Sequence, residues 1–234
     1  MATLYLVRHG QPDYSGLQER GMFGFGRDFA PLSPLGVQQA EETARDPRLK
    51  QAERIVSSPY TRARQTAQII SLRTGIAVQV EPDLHEWVPD WTNQYRTSEE
   101  SFRLSEDFVR CKGEYPAGEN RKWESLSHIQ ERMQRVVEKY AAMDKVILVG
   151  HRMAFRTICY MEEMRPGEIV ECVYEPGQKL CEYIPLPLQI QRTKSWSISA
   201  WISKYLIMMV IFSRRVARAS VMLNPGKAAL WMHT

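Results

Sequence analysis

Thr3-Leu4-Tyr5-Leu6-Val7-Arg8-His9-Gly10 is the stretch that decides how this chain is read. Leu4 to Val7 run without a polar break, as in a parallel strand buried on both faces. The run then delivers an arginine, a histidine and a glycine to what becomes the strand's carboxyl edge. Ligands of open α/β sheets bind at that edge. A guanidinium grips two oxygens of a phosphate at once, and a neutral imidazole beside it is a nucleophile, so the pair suits attack on a phosphoryl group.

Outward from that strand, the chain alternates between strand-like and helix-like segments. Strands are predicted over 3–7, 54–57, 77–80 and 145–149, with a closing hairpin of 169–174 and 178–184 around Pro176-Gly177. Helices are predicted from the Ser33-Pro34 N-cap to about Ala44, and over 61–71, 98–110, 122–141 and 153–161. Residues 11–31 read as a long loop, and 81–97 as irregular. Such alternation defines an α/β fold built on a mostly parallel central sheet.

The average charge conceals two regions. The whole chain carries +4, yet residues 183–234 hold seven basic and no acidic residues, leaving 24 basic against 27 acidic in residues 1–182. The body is mildly acidic, and no nucleic-acid partner is expected of it. The expected domain boundary follows Pro187: a catalytic domain over 1–187, then a basic extension over 188–234. The apolar run 196–212 falls short of the ~20 residues that a spanning helix needs. It reads as a helix packed on the body or a partner, or as an addition outside the catalytic fold. Contact with an anionic membrane surface ranks behind both. Cys111, Cys159, Cys172 and Cys181 form neither a C-x-x-C pair nor a zinc-spaced cluster. Arg8 and His9 cut the first apolar run short of a signal peptide, so a cytoplasmic protein with reduced thiols is expected.

Four stretches place phosphate-handling residues at or just after a strand. They are Arg8-His9-Gly10, Ser57-Ser58-Pro59-Tyr60-Thr61-Arg62-Ala63-Arg64-Gln65-Thr66-Ala67, Asp83-Leu84-His85-Glu86 and Val149-Gly150-His151. In this order the set resembles the histidine phosphatase superfamily, the phosphoglycerate-mutase-like proteins, over about residues 1–182. Leu32-Ser33-Pro34-Leu35-Gly36 and Gly118-Glu119, ahead of a helix, are secondary matches. The resemblance implies a three-layer α/β/α fold with a small helical cap, placed at about 86–120. It implies His9 as the nucleophile that becomes a phosphohistidine. It further implies Arg8, Arg62 and His151 as phosphate ligands, and Glu86 as general acid and then base. A phosphate monoester is roughly dianionic near neutral pH, and two guanidiniums with two imidazoles match it in charge. No metal and no cofactor are needed. Asp83 and Glu81 are the alternatives to Glu86, while Arg64, His85 and His128 read as surface residues.

Two departures from the family pattern stand out. Gly150-His151 is followed by Arg152-Met153 where relatives commonly have glycine. After Gly10, where relatives place an asparagine that touches phosphate, the chain reads Gln11-Pro12-Asp13-Tyr14-Ser15, so Gln11 and Ser15 are the candidates for that contact. Only 64 residues separate Glu86 from His151. That compact cap resembles the phosphatase branch and leaves water a route to a phosphohistidine. The expectation is therefore hydrolysis of a small phosphorylated metabolite. The alternatives are a mutase-type phosphotransferase and a non-catalytic phosphate-binding module, the latter resting on Arg152 alone.

Overall fold

The opening run forms β1 (Ala2–Arg8), flanked by two partners in a five-stranded sheet, in a computed structural model that describes residues 1–17 and 19–180. The other strands are β2 (Arg54–Ser57), β3 (Val78–Val80), β4 (Lys145–Gly150) and β5 (Ile169–Tyr174). Their order across the sheet is β3-β2-β4-β1-β5. The pairs β1·β4, β2·β4 and β2·β3 are parallel, and β5 runs antiparallel to β1.

Burial on both faces explains the unbroken apolar strands. Leu4 and Leu6 join Val56, Val146 and Leu148 in one apolar cluster, whereas Tyr5 and Val7 join Ile55, Ile147 and Val149 in another. Side chains alternate between faces along a strand, so these clusters are the two sides of one sheet. The second cluster is covered by α2 (Thr61–Thr74) through Ala63, Ala67 and Ile70, with α1 (Pro34–Thr43) packed against α2. The first is covered by α4 (Leu126–Tyr140) through Ile129, Met133, Val136 and Val137. The architecture is the expected layered α/β fold. Helix α3 (Ser98–Arg110) opens on a capping box between Thr97 and Glu100.

Three expectations need correction. The hairpin after Tyr174 keeps its turn, with the Gln178 N–H on the Glu175 carbonyl, but residues 178–180 form no strand. β5 takes its partner from β1 instead. Residues 181–184 of that hairpin, Cys181 and the entire basic tail lie outside the described residues. The helix expected over 153–161 is only α5 (Arg152–Phe155). Past it the Thr157 and Ile158 N–H groups bond to carbonyls three residues back, and the Thr157 hydroxyl donates to the Ala154 carbonyl at 2.7 Å. The helix expected from 122 begins at Leu126, because Ser125 caps it by accepting the His128 N–H. Cys111 and Cys159 are free thiols. Among the described residues no helix is long and apolar enough to cross a membrane.

Candidate active site

Parallel register brings the carboxyl ends of three strands together. Arg8 pairs with Gly150, and Ser57 with Val149. The residues that follow, His9, His151 and Ser58, therefore emerge side by side at one sheet edge. The His9 N–H continues the ladder onto the Gly150 carbonyl (3.1 Å), and the Ser58 N–H onto the Val149 carbonyl (2.9 Å). Gly10 is demanded by packing: a Cβ there would stand 2.3 Å from the Gly36 carbonyl oxygen of α1. That approach lets the loop after His9 lie directly on α1.

His9 is 5% exposed. Its Nδ1 lies 2.7 Å from the Gly10 carbonyl, which can only accept, so Nδ1 carries the proton and Nε2 bears the lone pair. The Arg62 Nε–H donates to that Nε2 at 3.2 Å. Burial first, and then the Arg62 charge, pull the His9 pKa down to about 3. The imidazole is therefore neutral near pH 7. Thr66 braces the site from α2: its hydroxyl accepts the Gly10 N–H and donates to the Arg62 carbonyl.

His151 is fully buried, with its ring centroid 5.0 Å from those of both His9 and Tyr60. The Ser58 hydroxyl accepts the Tyr60 N–H and lies 2.7 Å from His151 Nε2. Donation of the hydroxyl proton to Nε2 leaves an N–H on Nδ1. Burial, followed by Arg62 and His9, holds the His151 pKa well below the ordinary histidine value. Three buried polar atoms in this cluster have no hydrogen-bond partner among the described residues: Arg8 Nε, Arg62 Nη1 and His151 Nδ1. Buried donors are rarely left unused. Three on side chains that interact with His9 can cradle an anion.

Glu86 approaches from a segment without regular structure. Its Oε1 accepts the N–H groups of Trp87 (2.9 Å) and Ala154 (3.2 Å), and its Oε2 that of Met153 (3.3 Å). These bonds tie the carboxylate to α5, directly after His151. Glu86 also lies within the electrostatic reach of Arg8. The alternative carboxylates point to α4 instead: Glu81 pairs with Lys139 and Asp83 with Arg135.

Gln11 and Ser15 are exposed on the loop after Gly10. The Gln11 N–H donates to the Gln39 side chain, and both the N–H and the side chain of Ser15 bond to the Asp13 carboxylate. Arg64 is exposed. Arg152 is half-buried beside His151 and, after burial, is the charge that most lowers the Arg8 pKa. His85 departs from the surface reading: it is half-buried, its Nδ1 lies 2.7 Å from the Glu86 carbonyl, and burial and Arg132 lower its pKa.

Sequence reasoning did not find Asp28, Glu124 or Arg132. Asp28 hydrogen-bonds to the Tyr60 side chain, and burial raises its pKa to about 6. Glu124 is fully buried and paired with Arg132 (2.7 Å). Glu119 sits at the surface against Arg121. A glutamate just before the capping Ser125 of an amphipathic helix was the available signal.

The sheet edge of this α/β fold thus carries two buried imidazoles, with Arg8 and Arg62 beside them. The model of the histidine phosphatase superfamily (branch 1) matches residues 4–174, and the chain belongs to that superfamily. A relative from Hydrogenobacter thermophilus, named as a phosphoserine phosphatase, is 43% identical over 86 residues, which are 37% of this chain and 40% of that protein. A probable phosphoglycerate mutase (GpmB) of Proteus mirabilis is 29% identical over 66% of this chain and 71% of its own length. Among solved structures, mycobacterial glucosyl-3-phosphoglycerate phosphatase superimposes with a TM-score of 0.51 at 27% identity, over 66% of this chain and 76% of that one. The chain thus spans two fifths of the first relative and about seven tenths of the second.

Proposed function

We propose that this protein hydrolyses phosphate monoesters of small metabolites through a phosphohistidine on His9. The observation that carries this reading is the trio of unused donors, Arg8 Nε, Arg62 Nη1 and His151 Nδ1, set around a neutral His9 whose Nε2 holds a lone pair. A phosphoryl group in the cradle receives hydrogen bonds from all three. His9 Nε2 forms the N–P bond as the ester P–O bond breaks, and Arg62 moves its Nε–H from that nitrogen to a phosphoryl oxygen. Glu86 in its acid form gives a proton to the departing oxygen. As a carboxylate it then takes a proton from the water that attacks phosphorus, and phosphate leaves with His9 restored. The positive charge that stabilises the transition state comes from guanidiniums. Gln11 and Ser15 remain on the rim in this reading.

The test is hydrolysis of para-nitrophenyl phosphate in the presence of EDTA by the wild type and by His9→Ala. Activity in the wild type and a loss of roughly three orders of magnitude or more in the variant are expected. Equal activity of the two refutes the assignment of His9. The similarity to a probable phosphoglycerate mutase over 71% of that protein's length supports a second reading, transfer of the phosphoryl group to another hydroxyl. Interconversion of phosphoglycerate isomers without phosphate release would select it.

A further inference from the structure

We propose that Arg132 and Glu124 are positioning residues for Glu86: one buried ion pair fixes the backbone on both sides of it and so aims its carboxyl group at the leaving oxygen. The proposal rests on the reading of Glu86 as general acid. Residues 85–91 form no helix or strand, and their backbone bonds to residues 122–124 begin only at Val88. Arg132, 1% exposed on α4, supplies the support instead. Its Nη1 donates to the carbonyls of Asp83 (2.7 Å) and His85 (2.8 Å), immediately before Glu86. Its Nε and Nη2 donate to the two oxygens of Glu124 at 2.7 and 3.1 Å.

Glu124 in turn holds the chain just after Glu86. Its Oε2 accepts the Val88 N–H at 3.1 Å. Its backbone accepts the Trp87 indole N–H (2.9 Å) and donates to the Val88 carbonyl (2.8 Å). Every nitrogen of the guanidinium and both oxygens of the carboxylate are engaged. A buried ion pair of this kind rarely improves stability over an apolar pair of equal volume. An apolar pair could not hold two carbonyls and an amide around a catalytic carboxyl group. Proton transfer requires hydrogen-bond reach of the leaving oxygen, and small displacements are costly in rate.

A leaving-group series separates this role from mere structural support. A para-nitrophenolate leaves without a proton, whereas an alkoxide needs one. The experiment measures kcat/KM on para-nitrophenyl phosphate and on glycerol phosphate for the wild type, Arg132→Lys, Glu124→Gln and Glu86→Gln, each shown to be folded by circular dichroism. Arg132→Lys is expected to lose at least about tenfold more on the alkyl ester than on the aryl ester, with a larger split for Glu86→Gln. Should the lysine variant fail to fold, Glu124→Gln carries the same expectation. Equal losses on both esters in the folded Arg132 or Glu124 variant, with the split present in Glu86→Gln, overturn the proposal. No split in Glu86→Gln removes the acid itself and the proposal with it.

Discussion

The two sides of the pocket are held in different ways. His9, Ser58 and His151 are the next residues after three neighbouring parallel strands, and the sheet's own hydrogen bonds run on into the backbones of His9 and Ser58. Glu86 stands on a segment outside any helix or strand, tied by the side chains of Arg132, Glu124 and Trp87 to α4 and to the chain before it. A ladder shares its load over many backbone bonds, whereas an ion pair concentrates it in two side chains. One half of the site therefore resists most single side-chain changes, and the other does not.

The largest expected effect of breaking this contrast falls on the acid side. Glu124→Gln leaves the Arg132 charge buried without its counter-charge, a loss of about 3–5 kcal/mol. For a domain of this size that lowers the melting temperature by roughly 10 °C. Hydrogen exchange should show amides 86–91 opening first, with β1 and β4 still protected. Simultaneous opening of both regions would show that the two halves are held as one. The His9 side is vulnerable where backbone meets backbone. Gly10→Ala sets a Cβ 2.3 Å from the Gly36 carbonyl oxygen, and neither side can yield easily. About 1–3 kcal/mol of stability should be lost in chemical denaturation, with phosphatase activity falling alongside.

Acid sharpens the comparison further. His9 titrates at about 3 in the folded protein against 6.5 ordinarily, and His151 and His85 are lowered as well. Between those values the unfolded chain binds more protons, so this stability is present above pH 6.5 and is lost as pH falls toward 3. Each histidine contributes a slope of at most about 1.4 kcal/mol per pH unit. Asp28 acts in the opposite sense: raised from 3.8 to about 6, its contribution is present below pH 3.8 and lost as pH rises through 6. The melting temperature should therefore fall from pH 6.5 to pH 4, and Asp28→Asn should steepen that fall. A melting temperature unchanged over this range would contradict the buried, neutral state of the histidines. The smallest effect expected is that of Ser33→Ala, which removes the α1 cap to the Gly36 N–H and costs about 1 kcal/mol, read as a small shift of the denaturation midpoint.

The same contrast explains what the sequence makes legible. Strand ends announce themselves as an apolar run broken by charge, so β1, β2 and β4, with the residues at their carboxyl ends, were readable. The Ser33-Pro34 cap marks where α1 begins. The acid side left no such pattern. The helix predicted over 122–141 takes in residues 122–124. Their backbone instead pairs with 88–91 through the Glu124 N–H on the Val88 carbonyl and the Trp91 N–H on the Lys122 carbonyl. The partner of β5 was missed because pairing with β1 spans most of the chain, whereas the turn at Pro176-Gly177 offered a local alternative.

The most direct measurement is to trap the covalent intermediate. The protein is mixed with a phosphate monoester, quenched under alkaline denaturing conditions that preserve phosphohistidine, digested and examined by mass spectrometry. One phosphoryl group on His9, absent from His9→Ala, is the predicted result. A phosphoryl group on another residue, or turnover of the ester with no phosphorylated peptide at any time, would contradict the account.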